Sequence, residues 1–156
     1  MTSTNPTMTC GSPFGQIMIE ANDRALVALW LPGARPLESR STPRRSVILS
    51  LVAQQLEEYF AKERREFSLP LEMSGTQFQR RVWDELSLIP YGTTISYGTL
   101  AQRIGHPRSS RAIGQANARN PIPIIVPCHR VVASNGLGGY AGGLAMKETL
   151  LQLEAR

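Results

Sequence analysis

Near the C-terminal end of the chain a cysteine and a histidine stand side by side, Cys128 and His129, in the stretch PIPIIVPCHRVV from Pro121 to Val132. A thiolate is a strong nucleophile, and flanking by His129 and Arg130 makes positive surroundings that favour it. The Ile and Val residues before the thiol are too apolar for a surface loop, so the segment reads as a buried strand end. Its three prolines exclude an α-helix, because each lacks an N–H and forces its predecessor toward extended geometry. Free cysteines are also among the commonest inert packing residues, so on these residues alone nucleophile and core filler both stay open. Use as a hydrolase nucleophile would further require an oriented histidine and an oxyanion hole, which spacing cannot supply.

The 156 residues can bury a core without covalent staples. Cys10 and Cys128 are the only cysteines and His106 and His129 the only histidines, with no C-x-x-C or H-x-x-x-H spacing, which argues against a structural zinc site. The start, MTSTNPTMTC, lacks a basic stretch followed by an apolar run, and no apolar segment approaches the roughly 20 residues that span a bilayer. A soluble, cytoplasmic protein of a reducing compartment is expected. The net charge is +5, yet between Glu85 and Glu148 there is no Asp or Glu at all. Arg103, Arg108, Arg111, Arg119, Arg130 and Lys147 fall in that interval, as a polyanion-binding surface requires; a merely solvated basic face is the alternative.

Several elements must position these groups. From Ser12 to Leu31 alternating and then apolar residues, with Asn22-Asp23 in a turn position, predict an antiparallel hairpin. Pro32 to Arg45 reads as an exposed loop. Thr42-Pro43 opens a helix whose apolar positions Val47, Ile48, Leu51, Val52, Leu56, Tyr59 and Phe60 follow the 3.6 period. Phe67–Met73 reads as a short strand or linker, dividing an N-terminal α+β domain (1–72) from a C-terminal domain (73–156). Thr76 and Gln79 have capping-box spacing before a helix with the stripe Phe78, Val82, Leu86 and Ile89, stopped at Pro90-Tyr91-Gly92. Two short helices, Ser96 to Ile104 and about Ser109 to Ala118, form a helix-turn-helix pattern. On the second, Arg111, Gln115 and Arg119 make a polar stripe while Ala112, Gly114, Ala116 and Ala118 add almost no bulk. That suits close approach to DNA, or tight packing within a core.

The run from Phe78 through Tyr97, Arg111, Asn120, PCHRVV and GGYAGGLAMKETLLQLE resembles the C-terminal domain of the O6-alkylguanine-DNA alkyltransferases (methylated-DNA–protein-cysteine methyltransferases), and SPFGQIMIE resembles their N-terminal domain. Nearly the whole chain is covered, and PCHRV is a specific signature. The resemblance implies an α+β fold: a small, ribonuclease H-like sheet-plus-helix domain, then a mostly helical domain with a winged helix-turn-helix. It implies irreversible, stoichiometric transfer of an alkyl group from O6 of a flipped-out guanine to Cys128, without a cofactor or metal, on double-stranded DNA approached from the minor groove by a monomer. His129 then matches the histidine that receives the thiol proton through a water, and Glu154 the acid that polarises it; without the resemblance Glu154 would read as a solvated helix residue. Tyr97 matches the donor to the departing base, and the carbonyls of Cys128 and Val131 match acceptors for the guanine amino group. Tyr140 matches an aromatic wall in the loop GLGGYAGG, and Ala141 stands where many relatives have a serine, keeping the backbone N–H toward O6 but no hydroxyl. Arg111 matches the residue that fills the gap left by the flipped base, with Ala112 and Gly114 allowing close approach. His106, Gly98 and Ser134 match further backbone-contacting positions, and Asn120 matches a hinge.

Other functions have distinguishable signatures. An alkyl-damage sensor without chemistry would replace the cysteine, an adaptive-response regulator would add a cysteine-rich metal-binding domain, and a cysteine hydrolase would turn over repeatedly.

Overall fold

The computed structural model describes residues 5–34 and 46–155, in two compact units, Met1–Met73 and Ser74–Arg156. In the first, strands β1 (Thr7–Ser12), β2 (Gly15–Ala21) and β3 (Leu26–Trp30) form one antiparallel sheet in that order. The hairpin expected from Ser12 onward is β2–β3; β1, which pairs with β2 from Thr7 opposite Glu20 to Ser12 opposite Gly15, adds a third strand. Asn22 makes the β2–β3 turn by accepting the N–H groups of Arg24 and Ala25, both at 2.8 Å, so its side chain substitutes for a missing backbone partner.

Helix α1 (Val47–Phe60) packs on all three strands and starts at Ser46, whose hydroxyl accepts the Leu49 N–H at 3.1 Å. The expected Thr42-Pro43 start, and residues 35–45 of the expected loop, lie outside the described residues. The buried face of α1 is Leu49, Val52, Gln55, Leu56 and Tyr59, whereas Val47 and Leu51, expected on it, are exposed. Gln55 is tolerated there because its amide exchanges two hydrogen bonds with the Ser68 backbone, at 2.9 and 3.1 Å. The expected strand at Phe67–Met73 reduces to one bridge, Leu71 opposite Leu26, with the extended segment tied by Leu26 N–H to Pro70 O and Glu72 N–H to Leu26 O.

The second unit contains α2 (Gln77–Leu86), α3 (Tyr97–Arg103), α4 (Ser110–Ala118) and α5 (Leu144–Ala155). At the start of α2 the Thr76–Gln79 capping box is formed reciprocally, at 2.9 and 3.1 Å. Val82, Leu86 and Ile89 are buried, joined by Trp83, whose indole N–H donates to the Ala116 carbonyl at 2.9 Å and so docks α4 against α2. Ser96 caps α3, and α3 with α4 completes the helix-turn-helix. Strands β4 (Ile95–Ser96) and β5 (Val131–Val132) pair in parallel, Ile95 opposite Val131. That pairing brings the residue after β4, Tyr97, next to the segment carrying the cysteine.

The segment before β5 is not the strand end anticipated. Residues 121–127 run through turns, and Cys128–Arg130 form a single 3₁₀ turn. Pro121, Pro123 and Pro127 cannot donate to a sheet ladder, so the backbone closes on itself. Val126 N–H binds Ile122 O at 2.9 Å, Cys128 N–H binds Val126 O at 2.8 Å, and Ile124 takes a left-handed φ of 75°. The Asn120 amide bridges this loop, donating to Val126 O at 2.8 Å and accepting from Ile122 N–H at 2.9 Å. Among the described residues no helix is long and apolar enough to cross a membrane.

Candidate active site

Cys128 opens the 3₁₀ turn at one wall of a cavity of about 200 Å³, lined also by Tyr97, Gly114, Asn117, Ala118, Gly139, Tyr140 and Ala141. The expected site residues Tyr97, Gly114, Cys128, Tyr140 and Ala141 therefore converge on one space. Asn117 holds the cysteine from α4, its amide nitrogen donating to the Cys128 carbonyl at 3.3 Å. The same carbonyl accepts the Val131 N–H, so both of its lone pairs are engaged.

Immediately after Cys128 in the chain, His129 is wholly buried and its Nε2 meets Glu154 Oε2 of α5 at 2.8 Å. Burial holds the His129 pKa below its ordinary value, against the opposing pull of Glu154. Glu154 also receives Arg130 Nε at 2.8 Å and Nη2 at 2.9 Å, a two-pronged contact with a carboxylate. With the Arg130 guanidinium donating to both of its oxygens, Glu154 is assigned as the carboxylate, which only accepts; that assignment puts the proton of a neutral His129 on Nε2 and the lone pair on Nδ1. Nδ1 is buried without a hydrogen-bond partner among the described residues. The imidazole is thus a neutral base with one nitrogen spent on orientation and the other unspent.

The thiol itself is not the pre-formed thiolate that flanking charges suggest. Burial pushes the Cys128 pKa up to about 11, outweighing the Asn120 side chain, backbone N–H groups of the turn, and Lys147. Arg130 cannot supply the expected positive field at the sulfur, because its guanidinium is committed to Glu154 and, through Nη1, to Ile89 O at 2.6 Å. A nucleophilic role for this sulfur would require its proton to be removed as it reacts.

Two members of the expected basic surface, Arg130 and Lys147, are buried; Arg103, Arg108, Arg111 and Arg119 are exposed. Lys147 instead donates to Val131 O at 2.7 Å and Gly139 O at 3.0 Å, pinning the glycine-rich loop against β5. Gly138 in that loop has φ of +74°, and a Cβ there would lie 3.0 Å from the Tyr97 ring and 3.2 Å from Ala133 N, so this position needs glycine twice over. Gly114 differs: a Cβ would meet nothing within 4 Å, which disfavours tight core packing as the reason for its small size. Ala112, Gly98, His106 and Ser134 are exposed with Arg111, outside the cavity, and Val131 and Asn120 are buried without lining it. Asn117, Lys147 and the Arg130–Glu154 contact escaped the sequence reading. Polar residues outside any repeating pattern carry no signal of burial until the fold is known.

Residues 8–73 match the model of the 6-O-methylguanine DNA methyltransferase ribonuclease-like domain, and residues 77–156 that of the 6-O-methylguanine DNA methyltransferase DNA binding domain. A methylated-DNA--protein-cysteine methyltransferase of Methanosarcina acetivorans is 46% identical over 146 residues, covering 92% of this chain and 94% of the relative. The constitutive methylated-DNA--protein-cysteine methyltransferase of Bacillus subtilis is 42% identical over 157 residues, covering 94% and 93%. Among solved structures, Mycobacterium tuberculosis OGT in complex with DNA superposes with a TM-score of 0.83 at 44% identity, covering 96% of this chain and 92% of that one. With both halves matched and the thiol, histidine and acid assembled as described, the chain belongs to the 6-O-methylguanine DNA methyltransferase family.

Proposed function

We propose that this protein repairs DNA by taking the alkyl group from O6 of a flipped-out guanine onto Cys128, once per molecule. The single observation that carries the reading is the buried His129 Nε2–Glu154 contact at 2.8 Å, which leaves Nδ1 as a bare base directly after a cysteine at the wall of a cavity. The thiol proton passes through a water to His129 Nδ1 as the sulfur attacks the alkyl carbon. An S–C bond forms, the C–O6 bond breaks, and the electron pair of that bond leaves on the purine. Tyr97, whose pKa burial raises, stays protonated and donates to the departing base. Tyr140, raised likewise by burial, also stays neutral as the aromatic wall, and the Ala141 N–H is the donor left for O6. Val131 O, already held by Lys147, is the carbonyl left to accept from the guanine amino group.

The partner is duplex DNA; the M. tuberculosis relative was solved in complex with DNA. Exposed Arg111 fills the space vacated by the flipped nucleotide, with Ala112 and Gly114 allowing the α4 backbone near the minor groove and Gly98, His106 and Ser134 contacting the backbone. Asn120 ties α4 to the cysteine loop. The protein acts as a monomer in the cytoplasm. A thioether has no hydrolytic route back to a thiol, so the activity is a single turnover. Titrating the protein with duplex carrying O6-methylguanine should restore one guanine per protein and then stop, and Cys128→Ser should restore none. Continued turnover, or full activity in that variant, contradicts the proposal.

A further inference from the structure

The base His129 is useful only while its lone pair sits on Nδ1, and that depends on what Glu154 does. Glu154 is 2% exposed, and a buried carboxylate is costly unless its charge is compensated. Compensation comes from Arg130, itself 6% exposed, with Nε on Oε1 and Nη2 on Oε2, while Nη1 is anchored on Ile89 O and the guanidinium lies 5.7 Å from the Tyr91 ring centroid. The fork sets both the position and the charge of the acid.

We infer that Arg130 is a positioning residue for alkyl transfer: by holding Glu154 as a carboxylate it keeps the proton on His129 Nε2 and leaves Nδ1 bare. The inference rests on Cys128 being the acceptor and His129 its base. The groups acting on His129 are Glu154 and Lys147 from α5 and Arg130 from its own turn; the segment after α2 meets Arg130 through the Ile89 carbonyl and the Tyr91 ring. Arg130 and Lys147 lower the His129 pKa and Glu154 raises it. Without the two guanidinium bonds, the carboxylate captures a proton in one of two ways. If the proton goes to His129, Nδ1 becomes an N–H. If it goes to Glu154, the carboxylic acid donates to Nε2 and the imidazole proton shifts to Nδ1. Both remove the base at a pH where the wild type has it.

The test is the single-turnover transfer rate from O6-methylguanine duplex as a function of pH, for wild type, Arg130→Met and Arg130→Lys. Loss of the fork should move the acidic limb of the profile upward by about one pH unit or more, with the lysine variant, which restores charge but not two-point contact, in between. Rates lowered equally at every pH, with the limb unmoved, overturn the inference while leaving Cys128 as the acceptor. Should the methionine variant not fold, ¹⁵N NMR of wild-type His129 decides at neutral pH: a protonated Nε2 and bare Nδ1 are expected, and a protonated Nδ1 overturns it. Absence of transfer by the wild-type protein would instead strike the function itself.

Discussion

His129 and Glu154 lie 25 positions apart in the chain, yet their side chains meet at 2.8 Å with virtually no exposure. Helix α5 packs against the 3₁₀ turn, so the end of the chain delivers the acid to the residue after the thiol. The candidate site lies between a turn preceded by the Asn120-bridged loop and a helix that would otherwise be unremarkable.

Gly114 separates the demands of folding from those of the substrate. Replacing it with alanine fills open space and removes a helix-interior glycine, so the protein should gain up to about 1 kcal/mol of stability. The same methyl group enters the wall of the cavity, so transfer from duplex DNA should slow. Thermal unfolding and single-turnover repair on the same variant check this; unchanged repair would remove Gly114 from the DNA-facing surface.

Gly138→Ala should behave in the opposite way. The left-handed backbone costs a non-glycine residue about 1–2 kcal/mol, and the added carbon presses on the Tyr97 ring. Stability and repair should fall together, measured by denaturant unfolding and by transfer rate. Retained stability would show that the loop relaxes freely.

The free protein's thiol should be sluggish toward iodoacetamide at neutral pH. With a Cys128 pKa of about 11, the thiolate fraction at pH 7 is on the order of 10⁻⁴. Labelling of Cys128, followed by peptide mass spectrometry, should climb steeply into the alkaline range. The sign for stability follows: the folded state keeps a proton that the unfolded thiol, at its ordinary value of 9.0, gives up. Stability is therefore lost as pH rises from about 9 to 11, and Cys128→Ala should flatten that decline. Rapid labelling at neutral pH would contradict the buried, protonated thiol.

The helices of the second unit were legible because their signals are local. The Thr76–Gln79 box and the Val82, Leu86, Ile89 stripe state their roles within one or two turns of chain. The cysteine segment was misread as a strand because apolar content suggests extension, whereas the missing N–H groups of its prolines forbid a ladder. Arg130 and Lys147 looked like surface charge, since their burial depends on partners on α5, β5 and the glycine-rich loop. Glu154 was legible only through family resemblance. Nothing near it in the chain distinguishes a buried acid from a solvated one.

The most direct measurement of the central claim is the mass of the intact protein after incubation with excess duplex carrying one O6-methylguanine. A gain of one methyl group, located on Cys128 by peptide mapping and never exceeding one per molecule, is the predicted result. An unmodified mass with the lesion repaired, or a methyl group found on Cys10 instead, would contradict it.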